Sequence, residues 1–171
     1  MKDDQLANVF GAMTLSLVTD MDSAIKSSKL QSTSHCAAVV AIVQQPGLSI
    51  DQLRKVLQLS HSGAVRLVDR LVVAGLVVRE AGPNGRTVRL SATLAGRKEF
   101  KAISERRREL LKAALTTLTP EEKGQLGLIL AKLLRGSAFT VVEAQYICRL
   151  CDHSVCFQRG GCPVADSLRD A

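Results

Sequence analysis

Four of the five cysteines in this chain lie close together near its C-terminus. They are Cys148, Cys151, Cys156 and Cys162, with the spacing C-x2-C-x4-C-x5-C. Four thiolates in one compact segment can surround a metal ion tetrahedrally, and two residues between a pair of ligands let both sulfurs face the same point. We therefore predict a metal-binding region over residues 148–171, the cysteine tail. Zinc held by four cysteines would be structural and would contribute directly to folding.

An iron-sulfur cluster is the alternative metal centre. The tail resembles that of iron-sulfur redox sensors in the MerR family, which have C-x2-C-x-C-x5-C followed by proline. Cys156, Cys162 and Pro163 match the second half of that pattern, whereas four residues separate Cys151 from Cys156. Zinc is therefore the first expectation. Arg149 and Arg159 would stabilise negatively charged thiolates around either metal.

The fifth cysteine, Cys36, is a candidate redox thiol. It follows His35 near the start of a predicted helix, and a helix N-terminus can lower the pKa of a thiol enough to make it react with peroxide. A cysteine that precedes Ala37, Ala38 and Val39 is also compatible with simple packing in the core. Both interpretations of Cys36 remain open at this point.

Charge is concentrated in one segment of the chain. Residues 48–108 contain thirteen Lys or Arg against five Asp or Glu, whereas the rest of the chain contains ten against eleven. A local positive surplus is what a phosphate-facing surface requires. Aromatic residues make up only 3% of the chain, which argues against base stacking on single strands and against an aromatic-lined ligand pocket.

Two short helices joined by a tight turn are predicted over residues 49–74. Ser49 and Gln52 form a capping box for the first helix, and Ser60 can cap the second, over Ser62 to Ala74. The residues expected inside the second helix are Val65, Val68, Leu71 and Val72. The residues expected outside it are Ser62, Arg66, Asp69 and Arg70. This pattern indicates a helix-turn-helix, whose second helix fits the major groove.

A β-hairpin is predicted directly after these helices. Residues 76–78 and 87–90 are β-type runs, and Pro83-Asn84-Gly85 supplies the turn. Its basic tip would form a wing placed to reach DNA phosphates or the minor groove, although a surface hairpin with solvated arginines is the alternative. The predicted DNA contacts of the whole unit are Ser60, His61, Ser62, Arg66, Arg70, Arg86 and Arg89.

Long helices are predicted on both sides of this unit. An amphipathic helix runs from Asp4 to about Ser27, and a nearly all-apolar helix ends before Pro46. A third extends from Thr93 to about Leu118, with its Arg106–Arg108 run on a solvated face, and a fourth starts after Thr119. Their apolar surface exceeds what one thin domain can cover, so two chains are expected to associate through them.

These elements together predict a mostly α fold with a small β-wing. Residues 48–92 form the winged helix-turn-helix region, and residues 1–47 and 93–147 form the helical dimerisation region that flanks it. The cysteine tail completes the chain.

From residue 6 to residue 135 the sequence resembles the MarR family of bacterial winged-helix regulators. The motifs are LSIDQLRKVLQLSHSGAVRLVDRLVVAGLV for the helix-turn-helix and NGRTVRLSATLAG for the wing and the next helix. That family commonly has Asp-x-Arg in its wing, where this chain has Asn84-Gly85-Arg86. The resemblance implies an obligate homodimer that sets two recognition helices in a pseudo-palindromic operator. It also implies repression that a small-molecule effector or an oxidant relieves.

The sequence thus predicts a regulator that binds specific double-stranded DNA, acts as a repressor and responds to a small-molecule, redox or metal signal. A winged-helix protein-interaction module with structural zinc is the alternative. Enzymatic activity is not expected, because His35, His61 and His153 lie in separate elements and no nucleophile-base pattern is present. A cytoplasmic location without a membrane span is expected, since no apolar run approaches ~18 residues.

Overall fold

The computed structural model describes residues 1–27, 29–82, 87–135, 140–156, 161–166 and 168. As predicted, the chain is mostly helical with one small antiparallel sheet. In chain order its elements are α1 (Asp3–Ile25), α2 (Thr33–Gln44), β1 (Leu48–Ser49), α3 (Ile50–Leu57), α4 (His61–Val73), β2 (Val77–Ala81), β3 (Val88–Ala92), α5 (Leu94–Ala114), α6 (Pro120–Leu134), α7 (Val141–Ile147), α8 (His153–Cys156) and α9 (Pro163–Asp166).

Helix α2 is the centre of the main core. Its residues from Cys36 to Ile42 are all buried, and α3, α5 and β3 pack around it. The helix begins after Ser32, whose Oγ accepts a hydrogen bond from the His35 backbone N–H at 3.3 Å. This arrangement confirms the expectation of a central apolar helix.

Helices α3 and α4 form the predicted helix-turn-helix. Both bonds of the capping box are present: the Ser49 N–H donates to Gln52 Oε1 at 2.9 Å, and the Gln52 N–H donates to Ser49 Oγ at 3.2 Å. Ser60 caps α4 by accepting from the Gly63 N–H at 3.1 Å. Helix α4 begins at His61, one residue before the predicted start.

The buried face of α4 differs from the predicted one. Val65 and Val72 are only half-buried. The stripe that faces the core consists of Ala64, Leu67, Val68 and Leu71. Each of these residues lies three or four positions from another of them, as one face of a helix requires. Ala64 was not predicted to be buried, because its side chain is small and only weakly apolar.

The sheet has the strand order β1-β3-β2, and both pairs are antiparallel. Strand β1 was not predicted, because it is a two-residue stretch whose extended form depends on the pairing of Leu48 with Leu90. The hairpin of β2 and β3 confirms the predicted ribbon, with Val77 opposite Ala92 and Ala81 opposite Val88. The predicted turn residues 83–85 and Arg86 lie outside the described residues.

Helix α5 starts at a close joint with the sheet. Thr93 caps it by accepting from the Gly96 N–H at 3.0 Å, and the Thr93 N–H donates to the Leu76 carbonyl at 3.0 Å. A Cβ on Gly96 would lie 2.1 Å from that same carbonyl oxygen, so only glycine fits there. The helix ends at Ala114, before the predicted end near Leu118.

Helices α1 and α6 expose long apolar faces. Exposed apolar side chains on α1 are Leu6, Val9, Phe10, Met13, Leu15 and Val18. Those on α6 are Leu128, Ile129, Leu130 and Leu133. The described helices include none with both the length and the apolarity that a membrane span requires.

Candidate nucleic-acid interface and cysteine cluster

The outer face of α4 presents the predicted polar and basic side chains. Those exposed there or at its cap are Ser60, His61, Ser62, Arg66 and Arg70. The one acidic residue on this face, Asp69, is engaged by Arg79 of β2, whose Nη2 lies 2.7 Å from Asp69 Oδ1. Arg66 and Arg70 form no ion pair with any residue that the structure describes. Their positive charge is therefore available to an external anion.

Of the two predicted DNA contacts in the wing, Arg86 and Arg89, the structure describes Arg89. It is exposed on β3 and stands opposite Ser49 of β1 and Glu80 of β2. Its side chain also passes beside Gly47, because a Cβ added to that glycine would lie 3.7 Å from Arg89 Cδ. Arg86, the second predicted wing contact, lies outside the described residues.

A cleft separates the start of α2 from α4, a feature that the sequence did not suggest. Its volume is about 210 Å³, and Arg66 and Arg70 form part of its wall together with His35. Burial and the nearby charge of Arg70 lower the pKa of His35, so the imidazole is neutral near pH 7. Movement of α4 would change the shape of this cleft, because Arg66 and Arg70 of α4 form part of its wall.

Comparison with known proteins supports this arrangement. Residues 30–86 match the sequence model for the MarR family. The chain therefore contains a MarR-family segment. This segment covers α2, β1, α3, α4 and β2, so the resemblance that the sequence indicated is confirmed.

Solved structures share the fold over a longer part of the chain. YusO from Bacillus subtilis matches with 21% identity and a TM-score of 0.67, covering 78% of this chain and 97% of that one. A probable transcriptional regulator from Pseudomonas aeruginosa matches with 26% identity, a TM-score of 0.58 and coverage of 77% and 98%. FabT from Streptococcus pneumoniae, solved in complex with DNA, matches with 16% identity, a TM-score of 0.66 and coverage of 77% and 94%. No curated protein matches the sequence.

Outside the MarR-family segment, the structure gathers the cysteines of the tail around one cavity. Cys148, Cys151, Cys156 and Cys162 are free thiols, and all four line a space of about 150 Å³ together with His153. The rest of the lining is largely apolar and includes Val164 and Leu168. Within the described residues, no three His, Cys, Asp or Glu side chains already stand close enough together to hold a metal ion.

The cysteines belong to a small apolar cluster of their own. Its buried members are Ala144, Cys162 and Val164, and Leu134 and Ile147 pack against them. Ala144 and Ile147 come from α7, which lies within the helical region 93–147 that is predicted to take part in dimerisation. The compact unit around the cysteines thus starts near residue 141.

Contacts made by Gln44, Arg107 and Leu150 attach the cysteine tail to the rest of its own chain. The side-chain amide of Gln44, the last residue of α2, donates to the Cys151 carbonyl at 3.0 Å and accepts from the His153 N–H at 2.7 Å. Arg107 of α5 donates through Nη2 to Cys151 Sγ at 3.9 Å. Leu150 is buried in the main core. Sequence spacing gave no signal for Gln44.

The run Arg106–Arg108 of α5 is less exposed than the sequence predicted. Of the run predicted to be solvated, only Arg108 is exposed, where it pairs with Glu105. Arg106 is half-buried and donates to the Ile25 carbonyl at 3.3 Å, and Arg107 is half-buried beside Cys151. The run lies between α1 and the cysteine tail, and burial of its aliphatic stems explains the difference.

The cysteine thiols differ in acidity. A hydrogen bond from Cys148 and the charges of Arg107 and Arg149 lower the pKa of Cys151 to about 6, against the opposing effect of burial. The pKa of Cys148 is raised, because its proton is held by Cys151 and because it is partly buried. Burial also raises the pKa of Cys156. Arg149 itself donates to the Tyr146 carbonyl at 2.7 Å, and Arg159 lies outside the described residues.

Cys36 lies in a different environment. Its side chain is fully buried, and Sγ donates to the Ile25 carbonyl at 3.5 Å. Burial raises the pKa of the Cys36 thiol to about 11. Since the thiolate is the reactive species, the structure favours packing over peroxide sensing for this residue.

Proposed function

We propose that this chain is a dimeric transcriptional repressor that binds operator DNA by placing α4 in the major groove. The observation that carries the proposal is the outer face of α4, where Arg66 and Arg70 are exposed without an acidic partner among the described residues. Such arginines can contact phosphates and guanine edges. The MarR-family match and the DNA complex of FabT support the same function.

The wing supplies a second contact in this proposal. Arg89 on β3 and Arg86 beyond it would reach the phosphate backbone or the minor groove next to the site that α4 reads. Ser60, His61 and Ser62 stand at the N-terminal end of α4, the end that enters the groove first in a helix-turn-helix.

The dimer would form through α1 and α6. Phe10 is 57% exposed and Ile129 is 55% exposed, and each lies on a continuous apolar face. Apolar faces of this length on a single chain mark a protein contact. Pairing of two copies would give a twofold particle whose two α4 helices match a pseudo-palindromic operator.

A signal would relieve repression by changing the spacing of the two DNA-binding units. A small molecule in the cleft between α2 and α4 could bias that spacing, because Arg66 and Arg70 border the cleft. The protein would act in the cytoplasm, where the free thiols of the cysteine tail stay reduced.

DNA titrations test the contact assignment. Selection from random duplexes supplies a binding sequence, and fluorescence anisotropy then compares the original protein with Arg66→Ala, Arg70→Ala and the charge-matched control Lys101→Ala on α5. Each α4 variant should weaken binding by about 1–3 kcal/mol, and Arg66→Ala should also relax sequence preference. Affinity should fall steeply with salt. If both arginine variants bind DNA as tightly as Lys101→Ala, α4 does not contact DNA. If the original protein binds DNA weakly and its affinity does not depend on salt, the protein-interaction module is favoured instead.

Sedimentation velocity tests the dimer. Phe10→Lys and Ile129→Lys each place a charge in the proposed contact and should shift the protein to a monomer. Val73→Lys is the control, because Val73 is 88% exposed on α4, away from α1 and α6. A dimer that survives both contact variants would place the interface elsewhere.

A further inference from the structure

The cysteine tail has too small an apolar core to hold its own shape. The apolar cluster around the cysteines has only three buried members among the described residues, namely Cys162 and Val164 of the tail and Ala144 of the preceding helix α7. Helices α8 and α9 have four residues each, far fewer than an isolated helix needs for stability. Modules of this kind are usually held by disulfides or by a metal, and the cysteines here are free thiols.

A positive charge beside the cysteines has no carboxylate partner among the described residues. The Nε of Arg107 is buried without a hydrogen-bond partner among the described residues, and no described carboxylate forms an ion pair with this side chain. Its Nη2 points to Cys151 Sγ. The nearby carboxylate of Asp152 accepts instead from the N–H and the hydroxyl of Ser154, at 3.0 and 2.6 Å.

A partly buried guanidinium is stabilised by a nearby negative charge, and Arg107 Nη2 points to Cys151 Sγ. A divalent ion held by four thiolates has a net negative charge, and Arg107 and Arg149 are placed to neutralise it. The positions of these two arginines therefore support a thiolate centre independently of the cysteine spacing.

We propose that Cys148, Cys151, Cys156 and Cys162 bind one Zn²⁺ ion, and that the loaded site strengthens operator binding. Each thiol releases its proton to solvent as its sulfur bonds to zinc, so no oxidant or reductant takes part. The four side chains already border one cavity, and binding requires their sulfurs to close around the ion. The effect on DNA rests on the function proposed above, whereas the zinc site does not.

The tail is attached to both moving parts of the proposed repressor. On one side, α7, which leads directly into the tail, packs on α3 of the helix-turn-helix, and Gln44 joins the tail backbone to the end of α2. On the other side, α9 packs on α6, the proposed dimerisation helix. Zinc that joins Cys148 and Cys151 to Cys162 would connect these two sides and fix the position of the DNA-binding unit on the dimer. Zinc and DNA should then strengthen each other's binding by the same factor.

Metal analysis of the full-length protein, purified under anaerobic conditions, tests the site. We expect about one zinc per chain, and Co²⁺ exchange should give sulfur-to-cobalt charge-transfer absorption. Cys151→Ser and Cys162→Ser should each lose tight zinc binding, whereas the control Cys36→Ala should keep it. Arg107→Met keeps the ligands and should weaken zinc affinity about 10–100-fold. The site would be refuted if the original protein held no zinc after reconstitution, or if both serine variants retained it. Iron together with acid-labile sulfide would refute the assignment to zinc.

DNA affinity measured with and without zinc tests the coupling. Removal of zinc by a chelator should weaken operator binding about tenfold in the original protein, within the usual range of coupling between sites. Gln44→Ala leaves all four ligands in place, so it should still bind zinc but lose most of this effect. Equal DNA affinity with and without zinc would disprove the coupling. Because zinc content is measured without DNA, failure of the zinc site is distinct from failure of the proposed DNA-binding function.

Discussion

Replacement of Gly96 by alanine should destabilise the protein at the joint between the wing and α5. The new Cβ would lie 2.1 Å from the Leu76 carbonyl oxygen, about 1 Å closer than side chains tolerate, and the obstacle is backbone rather than a flexible side chain. The same oxygen accepts hydrogen bonds from the Thr93 N–H and, at 3.2 Å, from the Thr93 hydroxyl. Relief of the clash would therefore also disturb the cap of α5.

We expect Gly96→Ala to reduce the free energy of unfolding by about 2–3 kcal/mol, the range for an overpacked core position. Gly124→Ala is the matched control, because Gly124 is also helical and has nothing within 4 Å of its Cβ position. It should stabilise the protein by up to about 1 kcal/mol, since alanine is the better helix former.

Urea denaturation at one fixed protein concentration measures the free energy of unfolding of both variants, and thermal denaturation measures their Tm. At about 2–4 °C per kcal/mol for a chain of this size, Gly96→Ala should lower Tm by roughly 5–10 °C and Gly124→Ala should raise it slightly. If Gly96→Ala were as stable as the original protein, the close approach of α5 to Leu76 would be wrong, because ordinary helix propensity alone would make that variant more stable.

Three further predictions follow from the same structure. Iodoacetamide at pH 8 should modify Cys36 about a hundredfold more slowly in the native protein than after unfolding, because a pKa of about 11 leaves little thiolate; equal rates would contradict its burial. Ser49→Ala should cost about 1 kcal/mol of unfolding free energy by removing the cap of α3, and a change within error would show that the cap adds little. Folding lowers the pKa of His35 below its ordinary value of 6.5, so protonation of this side chain destabilises the folded protein. The free energy of unfolding should therefore fall as the pH drops below 6.5. Stability between pH 7.5 and 5 should therefore fall less for His35→Gln than for the original protein.

The features that the sequence predicted correctly are those set by neighbouring residues. The predicted caps at Ser49 and Ser60 are observed, and α5 and α6 begin where predicted, directly after Thr93 and Thr119. A cap and the helix it starts lie within four residues, so side-chain chemistry and spacing are sufficient to place it. The exposed face of α4 was predicted correctly for the same reason, since its polar residues repeat with the helical period.

The features that the sequence missed depend on distant parts of the chain. Strand β1 is extended only because Leu48 pairs with Leu90, and the inward face of α4 is decided by what packs against Ala64. Arg107 lies 44 residues from Cys151, and Gln44 lies 107 residues from it. No local pattern links such pairs, so the cysteines were found from their spacing but their attachment to α2 and α5 was not.

The attachment changes what the cysteine tail can do. A metal site at the end of a free tail would stabilise that tail alone, and its loss would leave the winged helix unchanged. Leu150, however, stands between Cys148 and Cys151 and is 6% exposed in the main core, next to the Gln44 contacts. A rearrangement of the four cysteines would therefore also move a core side chain or the end of α2. Because β1 and α3 follow α2 directly, we expect the proposed zinc site to act on the same elements that position α4.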